Sequence, residues 1–263
     1  MKRSTYASGA SGAPESNDNE QPTALWLSVR SRRLVGAGLV LVIVLLGVRW
    51  YTGTAHTPIV TGTQVLAPDS VVARVHVDPE QPLRSIDTET VTHQIEHHPW
   101  IKTATVRAQR FRNRLALHIE ERTPVGRVVD DAGQLDFYLD AYGYAMPPRA
   151  DTTFDAPSVH DETLTYQEVD AVANDDLQAM LQALAQSEMT ADKISEVHVD
   201  PNHTIHLYVT HPSGHSVAVR FGENEYSKKL RHLEMFYDHV LESTTDSIGT
   251  IDLRFREQIV TQP

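Results

Sequence analysis

Apolar and polar positions change their period several times along the chain, and each change marks an element. Leu34 to Val48 (LVGAGLVLVIVLLGV) is an unbroken run of apolar and glycine residues. At about 1.5 Å per residue it falls short of a hydrocarbon core of about 30 Å. Arg33 and Arg49 can snorkel, however, and Trp50 and Tyr51 suit a membrane interface, so residues 34–51 are expected as a transmembrane helix. Val71 to Val77 (VVARVHV) alternates and predicts a strand. In SIDTETVTHQIEHHP, Asp87 suits an N-cap, Val91 and Ile95 share one helical face, and Pro99 ends the helix. ATVRA and LALHIEE alternate around the basic turn RFRN, with Ala104, Val106, Ala108, Leu115, Leu117 and Ile119 inward. Together these segments predict a helix laid against a hairpin, with Trp100 sealing one end of a small core.

Beyond Pro124 the pattern becomes mainly β. VGRVV and LDFYLD read as strands, and DAYG turns the chain toward YAMP. A helix is expected over LQAMLQALAQ, with Leu177, Met180, Leu181 and Leu184 as its apolar stripe. ISEVHV, HTIHLYVT and HSVAVRF alternate as three further strands. YSKKLRHLEMFYDHVL reads as an amphipathic helix with Leu230, Leu233, Phe236, Tyr237 and Val240 inward. The chain closes with IGTIDLRFREQIV, taken as a terminal strand. The fold class is therefore α+β: an N-terminal transmembrane helix, a small βαββ module, and a mainly antiparallel β domain with flanking helices. The expected divisions are a disordered cytoplasmic tail at 1–33, the membrane helix at 34–51, a linker at 52–66, the small module at 67–123 and the β domain at 124–263.

Charge orients this arrangement. The chain has 263 residues and a net charge of −12, but residues 1–33 carry five basic and three acidic residues. After Arg49 there are 17 basic and 32 acidic residues, a balance of −15. By the positive-inside rule the N-terminus stays in the cytoplasm and residues 52–263 are exported. A 33-residue leader is long for a cleaved signal peptide with Gly53 and Ala55 at the cut, so an uncleaved anchor is expected. So acidic a domain repels phosphates, which argues against nucleic acid as a partner. The arginine excess, 18 against five lysines, fits a high-salt habitat or a base-composition bias equally.

Candidate chemistry adds little. With no cysteine in the chain, neither a disulfide nor a thiolate metal site is available. All 14 histidines lie in the exported part. His93 and His97 are four apart on a predicted helix, and His203, His206, His211 and His215 cluster near a strand and its turn. Neither group is completed by a carboxylate–histidine pattern, so solvated surface histidines and no metal are expected. No serine or aspartate sits in a nucleophile elbow, a paired-carboxylate frame or a phosphate loop, so neither catalysis nor a cofactor is expected.

Several blocks in order carry a resemblance: HPWIKTATVRA with Pro99 and Trp100, the junction Glu121-Arg122-Thr123-Pro124, FYLDAYGYAMP, and TIDLRFREQIV with Asp252. With the tail and single anchor they resemble the FtsQ/DivIB cell-division family, in its Bacteroidetes-type form. The resemblance implies that residues 67–123 are a POTRA domain and that the protein is a non-enzymatic divisome scaffold. It implies residence at the septum of the inner membrane as a single-pass protein with its C-terminal domains in the periplasm. FtsB- and FtsL-like proteins are the implied partners, bound by strand addition near the last strand, and other divisome proteins would use the POTRA domain and anchor. Arg254 and Phe255 match the family's basic and aromatic positions, and Glu257, Gln258 and Ile259 follow along the same expected strand. Only DPEQPLRS separates Val77 from Ile86, which is too short for the helix that the family places after its first strand. The alternative function is a POTRA-containing membrane-anchored transport or assembly factor.

Overall fold

The computed structural model describes residues 29–52, 56–78, 80–130, 132–167, 170–189, 191–243, 248–255 and 258–263. The chain divides into two compact units, Met1–Arg49 and Trp50–Pro263. Residues 1–28 of the expected tail lie outside the described residues. Helix α1 (Val29–Thr52) runs through the first unit, and its side chains from Leu34 to Val48 are all exposed. Among the described residues no helix is long and apolar enough to cross a membrane.

The second unit opens with a small module, and its first half differs from the reading of the sequence. Strand β1 (His56–Thr61) lies within residues 52–66, the expected linker. Pro58 lacks an N–H, and the ladder slips between His56 and Ile59, so β1 is an irregular edge strand with a weak pattern. VVARVHV is not a strand. Its first half belongs to helix α2 (Pro68–Arg74), which has proline in the first turn, Asp69 beside the positive helix end and Val71 buried. The family's missing helix is thus present, one element earlier than expected, and the module is βααββ rather than βαββ.

Helix α3 (Thr88–Glu96) starts as the sequence predicts. The Asp87 carboxylate accepts from the Glu89 and Thr90 amides at 3.0 and 3.4 Å. Val91 and Ile95 are buried on its inner face. Strands β2 (Ile101–Gln109) and β3 (Arg114–Glu121) pair antiparallel, and β1 lies parallel on the other side of β3, giving the order β1-β3-β2. Leu115, Leu117, Ile119 and Ala104 are buried, with Val106 and Ala108 packed against them.

The rest of the unit is one nine-stranded sheet. Its strands are β4 (Pro124–Val129), β5 (Leu135–Asp140), β6 (Ala145–Met146), β7 (Ser158–His160), β8 (Ile194–Val199), β9 (Ile205–Thr210), β10 (Ser216–Gly222), β11 (Thr250–Asp252) and β12 (Val260–Gln262). The order is β12-β11-β10-β9-β8-β7-β4-β5-β6. Three neighbouring pairs (β10/β11, β7/β8 and β4/β7) are parallel and the others antiparallel, so the sheet is mixed. Helices α4 (Asp175–Ala185) and α5 (Tyr226–Phe236) bury their apolar faces in one core with the inward residues of the strands. Asn174 caps α4 by accepting from the Leu177 amide at 3.1 Å, and Leu177, Met180, Leu181 and Leu184 are buried as predicted.

At the end of α5 the prediction slips by one residue. Tyr237–Leu241 is a π-turn in which the Glu242 amide donates to the Tyr237 carbonyl at 3.0 Å. The wider turn rotates the following side chains. Val240, expected inward, is 37% exposed, and Leu241 takes the core position at 0%.

Candidate functional site: an open sheet edge and a locked domain junction

The two ends of the nine-stranded sheet differ. At one end, β6 is two residues long and both are buried. At the other, β12 pairs with β11 alone among the described residues, and all three of its residues are exposed. Gln262 turns its carbonyl inward to accept the Gly249 amide at 2.9 Å. Backbone alternation then points the Thr261 N–H and C=O away from the sheet. An unpaired row of backbone donors and acceptors is a template for another strand.

The approach to β12 is not the continuous strand expected from the sequence. Strand β11 ends at Asp252 and β12 begins at Val260, and of the described residues between them, 253–255 and 258–259, none is strand. Leu253 stays buried and donates its amide to the Arg220 carbonyl at 2.9 Å. The Asp252 carboxylate then accepts from the Arg254 backbone amide at 3.0 Å and from its guanidinium at 2.6 to 3.2 Å. This turns the chain out of the ladder, as aspartate side chains do at turns. The Arg254 hydrogen bonds hold the Asp252 carboxyl below its ordinary pKa.

Arg254, the family's basic position, holds Asp252 with its guanidinium. Its stem lies against Gly222, where φ is +71° and an added Cβ would sit 2.9 Å from the Arg254 Cγ. Phe255 is 54% exposed and borders, with Gln258, Lys228 and His232, a cleft of about 180 Å³. Gln258 is exposed, while Ile259 packs against the core. Glu257 lies outside the described residues.

The remaining motif residues gather where the small module meets the sheet. Pro99 and Trp100 are buried at the corner between α3 and β2. Trp100 packs against Phe154 and Tyr138, with ring centroids at 5.2 and 6.1 Å, and donates its indole N–H to the Pro147 carbonyl at 3.1 Å. It does not merely close the module, since Tyr138 and Met146 of the sheet belong to the same core. Glu121 and Arg122 face opposite tasks. The Glu121 carboxylate accepts the amides of Gln64, Val65 and Leu66 at 2.8 to 3.0 Å, fixing the link from β1 to α2. Arg122 pairs with buried Asp140 at 2.6 Å and lies over the Tyr144 ring at 3.9 Å. Asp140 also accepts the Tyr142 and Tyr144 amides, shaping the DAYG turn. Pro124 opens β4, the strand position where a missing N–H costs least.

Of the histidines singled out from sequence, His97 bonds the His93 carbonyl, His206 bonds Asp200, and His211 and His215 stack about Ser213. The sequence reading did not connect His160 and His198, which the sheet brings face to face with Glu196 between them. Their signal was polar residues at alternate positions of two strands, Ser158 and His160 in SVH, Glu196 and His198 in ISEVHV.

The chain thus couples a βααββ module to a mixed nine-stranded sheet through a shared core. Residues 59–122 match the family described as POTRA domain, FtsQ-type, and residues 123–262 match FtsQ/DivIB, C-terminal related. The chain is 33% identical over 240 residues to the cell division protein FtsQ of Salinibacter ruber, covering 88% of this chain and 92% of that protein. It is 31% identical over 204 residues to FtsQ of Rhodothermus marinus, covering 76% and 74%. FtsQ of Syntrophotalea carbinolica is 29% identical over 200 residues, covering 73% and 67%. This chain belongs to the FtsQ/DivIB family of cell division proteins.

Proposed function

We propose that the chain is a non-catalytic, membrane-anchored scaffold of the divisome that captures FtsB- and FtsL-like proteins by adding their strand to β12. The observation that carries this reading is the asymmetry of the sheet, with β6 buried and β12 open. Main-chain hydrogen bonds along β12 would supply affinity, and the exposed Phe255 ring beside the cleft would supply selectivity. Helix α1 would be the anchor. Its uncharged run from Leu34 to Val48 would lie in the hydrocarbon core, with the flanking residues at the interfaces. The arginines ahead of the apolar run support a cytoplasmic N-terminus and a periplasmic second unit at the septal inner membrane. Other division proteins would meet the POTRA module and the anchor.

The test is calorimetric titration of the full chain in detergent micelles with the extracytoplasmic segments of FtsB- and FtsL-like proteins. Saturable binding is expected. Thr261→Pro, which removes an outward N–H, and Phe255→Glu should each weaken it at least tenfold with cooperative melting unchanged. Wild-type affinity in both variants would exclude the β12 edge.

A further inference from the structure

The face of the nine-stranded sheet away from its helices carries a row of imidazoles. Parallel register sets His160 of β7 beside His198 of β8, and antiparallel register sets His198 beside His206 of β9. Glu196, two residues before His198, projects to the same face. Its Oε2 lies 2.6 Å from the His198 Nε2 and 3.8 Å from the His160 Nε2. The two rings stack with centroids 4.4 Å apart at 24°. All three donor atoms fall within 4.8 Å of one another, and all three residues are half-buried.

We propose that His160, Glu196 and His198 bind one zinc ion, or another divalent transition metal of similar ligand preference. Two imidazole nitrogens and one carboxylate oxygen are a borderline-soft donor set that suits zinc. Tetrahedral zinc with bonds of about 2.0 Å holds its ligands about 3.3 Å apart, inside the range these atoms already span. The stems stand on adjacent ladder positions of inner strands, so small rotations about the side-chain bonds bring the donors together without moving the backbone. Without the metal, the His198–Glu196 hydrogen bond occupies the same place. Around the trio, the Tyr208 ring meets His198 edge-on at 4.9 Å, and His206 is already held by Asp200 at 2.9 Å. The net negative chain raises the local concentration of cations.

Three protein ligands leave a fourth position open to solvent, which water or a partner's side chain would fill. The ion would also tie β7, only three residues long, to the longer β8. The site is independent of the β12 edge, so its test does not depend on partner binding.

The experiment is zinc titration of the full chain in micelles after chelator stripping, followed by cobalt substitution. One equivalent should bind with a Kd of about 1 µM or tighter, raise the Tm, and give cobalt the strong visible absorption of four-coordination. His160→Ala and His198→Ala should each remove stoichiometric binding, and Glu196→Gln should weaken it by about tenfold or more. His206→Ala should leave it intact. Failure to bind one equivalent, or binding that survives both His160→Ala and His198→Ala, would overturn the site. The alanine variants must melt as the metal-free wild type does; if they do not, the same titration on His160→Gln and His198→Gln decides the matter.

Discussion

His98 is where a single side chain records its surroundings most clearly. It sits between α3 and Trp100, and its Nδ1 accepts the Trp100 amide at 3.1 Å, which requires a neutral ring. Burial first, then the Arg74 and Arg149 charges, push its pKa down to about 4, with Glu121 opposing. The unfolded chain would titrate this group near 6.5. The folded state thus binds fewer protons between those values, and the stability it contributes above pH 6.5 is lost as pH falls toward 4. Thermal melts between pH 7 and 4.5 should show a falling Tm whose slope is reduced in His98→Gln. Equal slopes would assign the pH dependence elsewhere. Much at this scale was legible in the sequence: Asp87 as a cap, the buried stripe of α4, and the motif positions from Pro99 to Pro124. What each motif residue grips was not. Nothing local tells that Glu121 reaches back 55 to 57 residues while Arg122 reaches forward 18.

At the scale of elements, errors arose where an element was too short or irregular for its period to show. Seven residues of α2 make two turns, and Val71, Val75 and Val77 fit a period of two as easily as a helical face. The deciding signal was Pro68-Asp69-Ser70, a helix start to which the reading assigned no element. Strand β1 was hidden by Pro58. The loop between β11 and β12 was hidden by alternation in DLRF, which the Asp252–Arg254 bonds override. The π-turn after α5 lies beyond any 3.6-residue reading, and it makes a sharp prediction. Leu241→Ala should cost about 2–5 kcal/mol, as buried leucine truncations do, while Val240→Ala should stay within about 0.5 kcal/mol. Chemical denaturation distinguishes this from a regular α-helix, which would reverse the order. The His160–His198 pair illustrates the remaining blindness. The two residues lie 38 positions apart, and only the parallel pairing of β7 with β8 makes them neighbours.

For the molecule beyond residue 50, the ordering fact is that the small module and the large sheet share core. Trp100, Tyr138 and Phe154 form one aromatic cluster across the junction, and the buried Arg122–Asp140 pair crosses it as well. Trp100→Ala should therefore cost about 3–5 kcal/mol and split one melting transition into two, read by calorimetry. A single transition that merely moves down would mean that other contacts suffice to couple the two parts.

A shared core also has a mechanical meaning. A partner strand laid along β12 would run with the strand axes, so tension along that partner would strain all the cross-strand hydrogen bonds together instead of opening them one by one. The junction would pass that tension from the sheet into the POTRA module without a hinge to absorb it. Under such a load, Trp100 and the Arg122–Asp140 pair would be the rivets of a tie-bar.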